Sequence, residues 1–220
     1  MIFKEIKLKT NHLSALFHFY NHVIELPAEY LDENRIAVNA GESKLIFEKA
    51  NDNTYPFYHF AFNIPSNKIN ESLLWLQGKA TALWLEDYNS NIADFAKWNA
   101  KSVYFMDPAE NIVELIARYD LGDDVADTFS SKHFRNISEI GLVFSHEVFG
   151  KKVEKILSDC RLNYFLKQPP LSHFRAIGDD SGLFIIVPEN RNWFPTKKPS
   201  GIYPTEVSFI NNNELLRLKI

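Results

Sequence analysis

Val103-Tyr104-Phe105-Met106-Asp107-Pro108-Ala109-Glu110-Asn111-Ile112-Val113-Glu114-Leu115 is the stretch that decides how this chain folds. Two runs of β-branched, aromatic and other apolar residues flank a turn built on Asp107-Pro108, which reads as strand, turn, strand. Glu114 stands between Val113 and Leu115 inside the second run. A carboxylate within an apolar strand is costly without a partner, so a cation or an arginine is expected beside it.

Outward from this hairpin, the chain repeats itself. A residue able to bind metal opens a strand-like run in Lys4-Glu5-Ile6-Lys7-Leu8, in Tyr58-His59-Phe60-Ala61-Phe62 and in Ser138-Glu139-Ile140-Gly141-Leu142, with a fainter copy in Thr205-Glu206-Val207-Ser208-Phe209. From Phe3 to Lys9 the period is two, with Phe3, Glu5, Lys7 and Lys9 on one face. A helix follows from Leu13 to Ile24 and stops before Pro27; then come Ile36–Val38 and Lys44–Glu48 around Gly41, with a further short strand near Tyr30. The second block runs from Tyr58 to Ile64, through a helix over Ile69–Leu76, to the quoted hairpin, and leaves room for one more strand ahead of Ser102. Polar residues 119–136 read as a linker. The pattern restarts at 137, with a helix over Val148–Leu157 and strands near Phe174-Arg175-Ala176 and over Leu183–Val187. A fourth block opens at Thr205–Ile210, and Asn211–Leu216 has the look of a helix start.

The bulk numbers narrow the function. Net charge is −4, and the densest basic pairs are Lys151-Lys152 and Lys197-Lys198, so nonspecific nucleic-acid binding has no electrostatic support. The longest apolar runs are far short of a membrane span. The first residues lack the features of a signal peptide, and with Cys160 the only cysteine there is no intrachain disulfide framework; a cytoplasmic location is expected.

The hairpin with Asp107-Pro108-Ala109-Glu110-Asn111, followed by a strand that carries Glu114, resembles the signature of the vicinal oxygen chelate superfamily. Glyoxalases, extradiol dioxygenases and the fosfomycin- and bleomycin-resistance proteins belong to it. The resemblance implies an α+β fold in which paired βαβββ modules form a half-open barrel around one ion. Residues 1–118 would be a complete two-module domain and residues 137–220 an incomplete second copy. Carried over by position, Glu5, His59 and Glu114 would hold a divalent ion (Fe, Mn, Ni, Co or Zn), and Glu48 would be a fourth ligand or the catalytic base. Glu139 and Glu206 repeat the position of Glu5 but are expected to build no site, because the fourth block supplies no last strand. The signature departs from the family's at two points: Glu110 stands where glycine is usual, and Glu5 where histidine is commoner.

An imidazole with two carboxylates suits a borderline-hard divalent ion and leaves positions open for substrate oxygens. The expected function is a metal-dependent enzyme of glyoxalase or dioxygenase type, a lyase or isomerase or a ring-cleaving dioxygenase, acting on a small oxygen-rich molecule. The alternative is a metal-free, resistance-type protein that sequesters a ligand between aromatic walls. Glu5 shares a face with Lys7 and Lys9, the pattern of a solvent face as much as of a ligand. The open edges of the second piece are expected to pack on the first domain or on a second copy in a homodimer.

Overall fold

The four repeated motifs each lie on the leading strand of a structural unit. In the computed structural model, which describes residues 1–51 and 54–220, the first unit is β1 (Ile2–Thr10), α1 (Leu13–His18, widened into a π turn over Phe19–Val23), β2 (Ala28–Asp32), β3 (Arg35–Ala40) and β4 (Ser43–Lys49). The second is β5 (His59–Ile64), α2 (Ile69–Leu76), β6 (Ile92–Phe95), β7 (Ala100–Met106) and β8 (Ile112–Arg118). The third is β9 (Asn136–Phe144), α3 (Phe149–Cys160), β10 (Arg175–Asp179) and β11 (Gly182–Pro188). The fourth is a hairpin of β12 (Thr205–Asn211) and β13 (Glu214–Lys219).

The strands expected near Tyr30 and ahead of Ser102 are β2 and β6. The segment Asn211–Leu216 is a hairpin turn instead of a helix start. Asn212 and Asn213 sit at φ 49° and 63°, between Asn211 and Glu214, which pair across the strands. A two-residue turn of this hand needs the left-handed region twice, and asparagine is among the few residues that tolerate it.

The units pair by sheet and not by order along the chain. One sheet runs β13-β12-β1-β4-β3-β2 and joins the first unit to the fourth. The other runs β10-β11-β9-β5-β8-β7-β6 and joins the second unit to the third. In place of a cup closed within residues 1–118, the half-barrel is made by residues on both sides of the expected linker. The reason is edge pairing. In the first three units the leading strand has its unit's last strand parallel on one side: β4 lies beside β1, β8 beside β5 and β11 beside β9. The opposite edge is taken antiparallel by the leading strand of a later unit, β12 on β1 and β9 on β5. Pairing within the chain thus covers the edges the second piece would otherwise expose.

The two sheets share a core. A bulge between Phe3 and Glu5 turns Phe3 inward with Ile6 and Leu8, away from the face of Glu5 and Lys7. Phe3 meets Phe184 of the other sheet edge to face, ring centroids 5.1 Å apart. Burying each such ring is worth roughly 2–3 kcal/mol. Gly41 ties the sheets at a turn, with φ 56° and no space for a side chain: a Cβ there would stand 1.8 Å from the Arg135 carbonyl oxygen. That same carbonyl accepts the Glu42 N–H at 2.8 Å. Among the described residues no helix is long and apolar enough to cross a membrane.

Candidate functional site

On the face of the second sheet away from the shared core, three strands bring one imidazole and two carboxylates together. Ala61 of β5 is in register with Glu114 of β8 on one side and with Glu139 of β9 on the other, and His59 lies two residues before it. Alternation puts all four on one face. The methyl of Ala61 leaves the space between the three larger side chains open. Gly141, two residues beyond Glu139, does the same for Trp193, whose ring would stand 2.6 Å from a Cβ at that position.

His59 Nε2 lies 3.6 Å from Glu114 Oε2 and 3.8 Å from Glu139 Oε2. The three side chains offer one donor atom each within 4.8 Å of one another. All are buried: His59 is 5% exposed, Glu114 2% and Glu139 3%. His59 Nδ1–H donates to the Ile112 carbonyl at 3.2 Å, which fixes the ring and aims Nε2 at the acids. Arg118, on the same face of β8 as Glu114, is fully buried and donates to Glu139 Oε1. Its other nitrogen reaches Asp180 at 3.4 Å, and its guanidinium lies 5.6 Å from the centre of the Trp98 ring. Asp180 in turn holds Lys167 at 2.8 Å.

With the imidazole neutral, this arrangement leaves one negative charge short of a partner. Glu139 pairs with Arg118, whereas the group nearest Glu114 that can carry an opposing charge is the imidazole. Burial, followed by the charge of Glu139, pushes the Glu114 carboxyl up to about 7, against the pull of His59, Ser102 and Arg118. Burial alone would depress the His59 imidazolium, but the hydrogen bond with Glu139 and the charges of both acids outweigh it and the net direction is upward. Burial and the same two acids hold the Tyr104 phenol well above its ordinary range, so its proton is retained.

The cluster forms the floor of a cavity of about 280 Å³. Trp98, Tyr104, Trp193 and Phe194 supply aromatic wall; Gln168 and Arg191 supply polar groups. Trp193 and Phe194 come from the loop after β11, which therefore caps the cup. The same loop is fastened to the turn of the β7–β8 hairpin by Lys198 and Glu110, 2.6 Å apart. Glu110 stands at φ 61°, so the turn keeps the left-handed geometry that glycine ordinarily supplies. Asp107 compensates by accepting the N–H groups of Ala109 and Asn111 at 2.9 and 3.0 Å.

Of the residues the sequence singles out, His59 and Glu114 meet here, and Glu5 and Glu48 do not. Both lie on the first sheet, where Glu48 pairs with Lys9 at 3.0 Å. Glu139 takes the place assigned to Glu5, because β9 and not β1 completes this cup. The first sheet repeats the register closely. Lys7 is opposite Glu206 as Ala61 is opposite Glu139, and it is opposite Ile46 where Ala61 is opposite Glu114. Glu48 is therefore two residues past the equivalent position, which holds Ile46. The Lys7 ammonium lies 3.4 Å from Glu5 and 3.9 Å from Glu206, filling the space between the acids that Ala61 leaves clear. In the third unit, Gly141 pairs with Ile185, so an apolar side chain occupies the position related to Glu114. The repeat at Glu139 was the signal for the missed residue. What sequence did not disclose was which leading strands would pair.

No family model and no curated protein matches the chain. Solved structures do. A dioxygenase candidate from Bacillus subtilis subsp. subtilis str. 168 covers 100% of this chain and 84% of its own length, with TM-score 0.59 and 12% identity. A lactoylglutathione lyase from Agrobacterium tumefaciens is 20% identical over 51% of this chain and 90% of its own, TM-score 0.42. A glyoxalase/bleomycin resistance protein/dioxygenase from Nocardioides is 16% identical over 58% of this chain and 89% of its own, TM-score 0.44. Its strand order and its full-length likeness to the Bacillus structure give this chain the fold of the vicinal oxygen chelate superfamily, α+β with a half-barrel built from paired modules.

Proposed function

We propose that the chain is a metal-dependent enzyme of glyoxalase or dioxygenase type that acts on a small molecule with two neighbouring oxygens. The observation that carries this reading is the buried His59–Glu114–Glu139 cluster with one carboxylate unmatched by charge. A divalent cation supplies the missing charge, and the donor set fits one. Two donors each about 2.0–2.2 Å from a shared ion lie at most about 4.4 Å apart; the separations from His59 Nε2, 3.6 and 3.8 Å, fall inside that limit, and the three donors together lie within 4.8 Å, so a small closing of the two acids completes the set. His59 Nε2, Glu114 and the Oε2 of Glu139 would hold it. When bound, such an ion supplies Lewis-acid polarisation of two vicinal oxygens.

The chain's own residues do the rest. The His59–Ile112 hydrogen bond selects the tautomer, and Arg118 orients Glu139. Trp193 packs over Gly141 beside the cluster. Tyr104 keeps its proton beside Glu114 and can offer a hydrogen bond to a developing oxyanion. Glu48 is outside this cup, and Tyr104, which keeps its proton, acts as a hydrogen-bond donor and not as the base assigned to Glu48.

The test is elemental analysis of protein purified without chelator. About one divalent ion per chain is expected, lost in His59→Ala and in Glu114→Ala with circular dichroism unchanged. Wild-type protein that carries no divalent ion, even after incubation with Fe, Mn, Ni, Co or Zn salts, contradicts the proposal.

A further inference from the structure

We propose that the cup takes a small aromatic substrate bearing a carboxylate, and that Arg191 is the residue that holds the carboxylate. This rests on the same cavity as the metal-dependent reading and names its substrate class. Four charged side chains line the cavity. Three form the floor cluster, where Glu139 already has Arg118. Arg191 is the remaining one, and among the described residues it makes no ion pair. Its guanidinium lies 5.3 Å from the centre of the Phe174 ring, and Nη1 donates to the Asn192 carbonyl at 3.3 Å. Four of its five N–H donors are thus uncommitted. Half-burial without a counter-charge disfavours the guanidinium ion, a cost that an incoming anion removes.

Outside the floor cluster, no lining side chain other than Arg191 is cationic. Gln168 accepts from Trp98 Nε1 at 3.2 Å and donates to the Pro169 carbonyl at 3.0 Å, so both ends of its amide are engaged. The aromatic walls bind flat apolar faces. A volume of about 280 Å³ is just below the usual range of roughly 300–1,000 Å³ for small-molecule pockets, which suits a small ligand. A planar guanidinium fork matches a carboxylate with two parallel hydrogen bonds. Two floor carboxylates with a divalent ion are neutral together, so an anionic substrate meets no repulsion there.

The experiment compares benzoate with benzamide, which share a ring and a shape and differ in charge. Affinities are measured by calorimetry on the intact protein as purified, in wild type, Arg191→Gln and Arg191→Lys, with metal content recorded for each sample. A charge-assisted pair predicts that wild type prefers benzoate by about ten-fold or more. In Arg191→Gln the two probes should bind within about two-fold of each other, with metal content unchanged. Arg191→Lys should keep the preference at reduced size, since a point charge replaces a fork. Equal affinity of wild type for both probes, a preference that survives in Arg191→Gln, or failure of both probes to bind overturns the proposal. A preference that depends on Arg191 in protein lacking any metal sustains this proposal while the metal-dependent reading fails, so the two are separable.

Discussion

At the scale of single residues, the cluster makes the metal-free protein sensitive to pH in a defined direction. The Glu114 carboxyl, raised to about 7 when folded, returns to about 4.3 when unfolded. The folded state then binds the proton more tightly, so the stability this group contributes is present below pH ~4.3 and is lost as pH rises towards ~7. His59, also raised on folding, acts with the same sign at higher pH. Metal-free protein should therefore lose thermal stability between about pH 5 and pH 8, and Glu114→Gln should flatten that slope. Metal binding requires the deprotonated carboxylate, so added divalent ion should reverse the slope. Calorimetric melting across that range, with and without metal, decides it; a slope unaltered in Glu114→Gln contradicts the account of the cluster. Arg118 gives a second test. Arg118→Met leaves Glu139 buried without its partner and should cost about 3–5 kcal/mol in urea unfolding, much of it recovered in the double variant Arg118→Met with Glu139→Leu. Additive losses in the double variant would mean that the two side chains do not support each other.

Elements explain both what sequence revealed and what it hid. The Asp107-Pro108 hairpin and the alternation of Tyr58–Ile64 were legible because turn chemistry and period two are local. The bulge at Phe3 was not, since nothing local marks it and it shows only in the burial of Phe3 with Ile6. Helix and hairpin were confused at Asn211–Leu216 because asparagine serves both caps and left-handed turns. The site was half legible: His59 and Glu114 share one unit, so their convergence needed only that unit's parallel strand pair. Glu139 came from another unit, and Glu48 was assigned two residues out of register. Glu5→Ala and Glu48→Ala should therefore leave metal content at the wild-type level, whereas His59→Ala abolishes it; loss of metal in either of the first two would place the site on the wrong sheet. Gly41→Ala should destabilise the protein by at least 1 kcal/mol, about the cost of the left-handed conformation alone, because its Cβ would also meet the Arg135 carbonyl. An unchanged urea midpoint would show that the turn relaxes freely.

For the whole molecule, the partition of strands is the main lesson. Two sheets each combine an early unit with a late one, so the chain must be nearly complete before either half-barrel closes. A fragment of residues 1–118 would leave open the edges of β1 and β5 that β12 and β9 cover. It should aggregate and bind no metal, and adding residues 119–220 in trans should restore solubility; a soluble, metal-binding 1–118 fragment would show that the first two units close a cup by themselves. The repeated register gives two potential cups, and their contents differ by a few residues. In one, Lys7 sits between Glu5 and Glu206; in the other, Ala61 leaves the floor clear for a cation among His59, Glu114 and Glu139. Anomalous X-ray diffraction at the absorption edge of the bound metal, from crystals grown without chelator, tests this most directly. The account predicts one anomalous peak within bonding distance of His59 Nε2, Glu114 and Glu139, and none beside Lys7. A metal bound at any other position, or His59 and Glu114 turned away from a common centre, contradicts it.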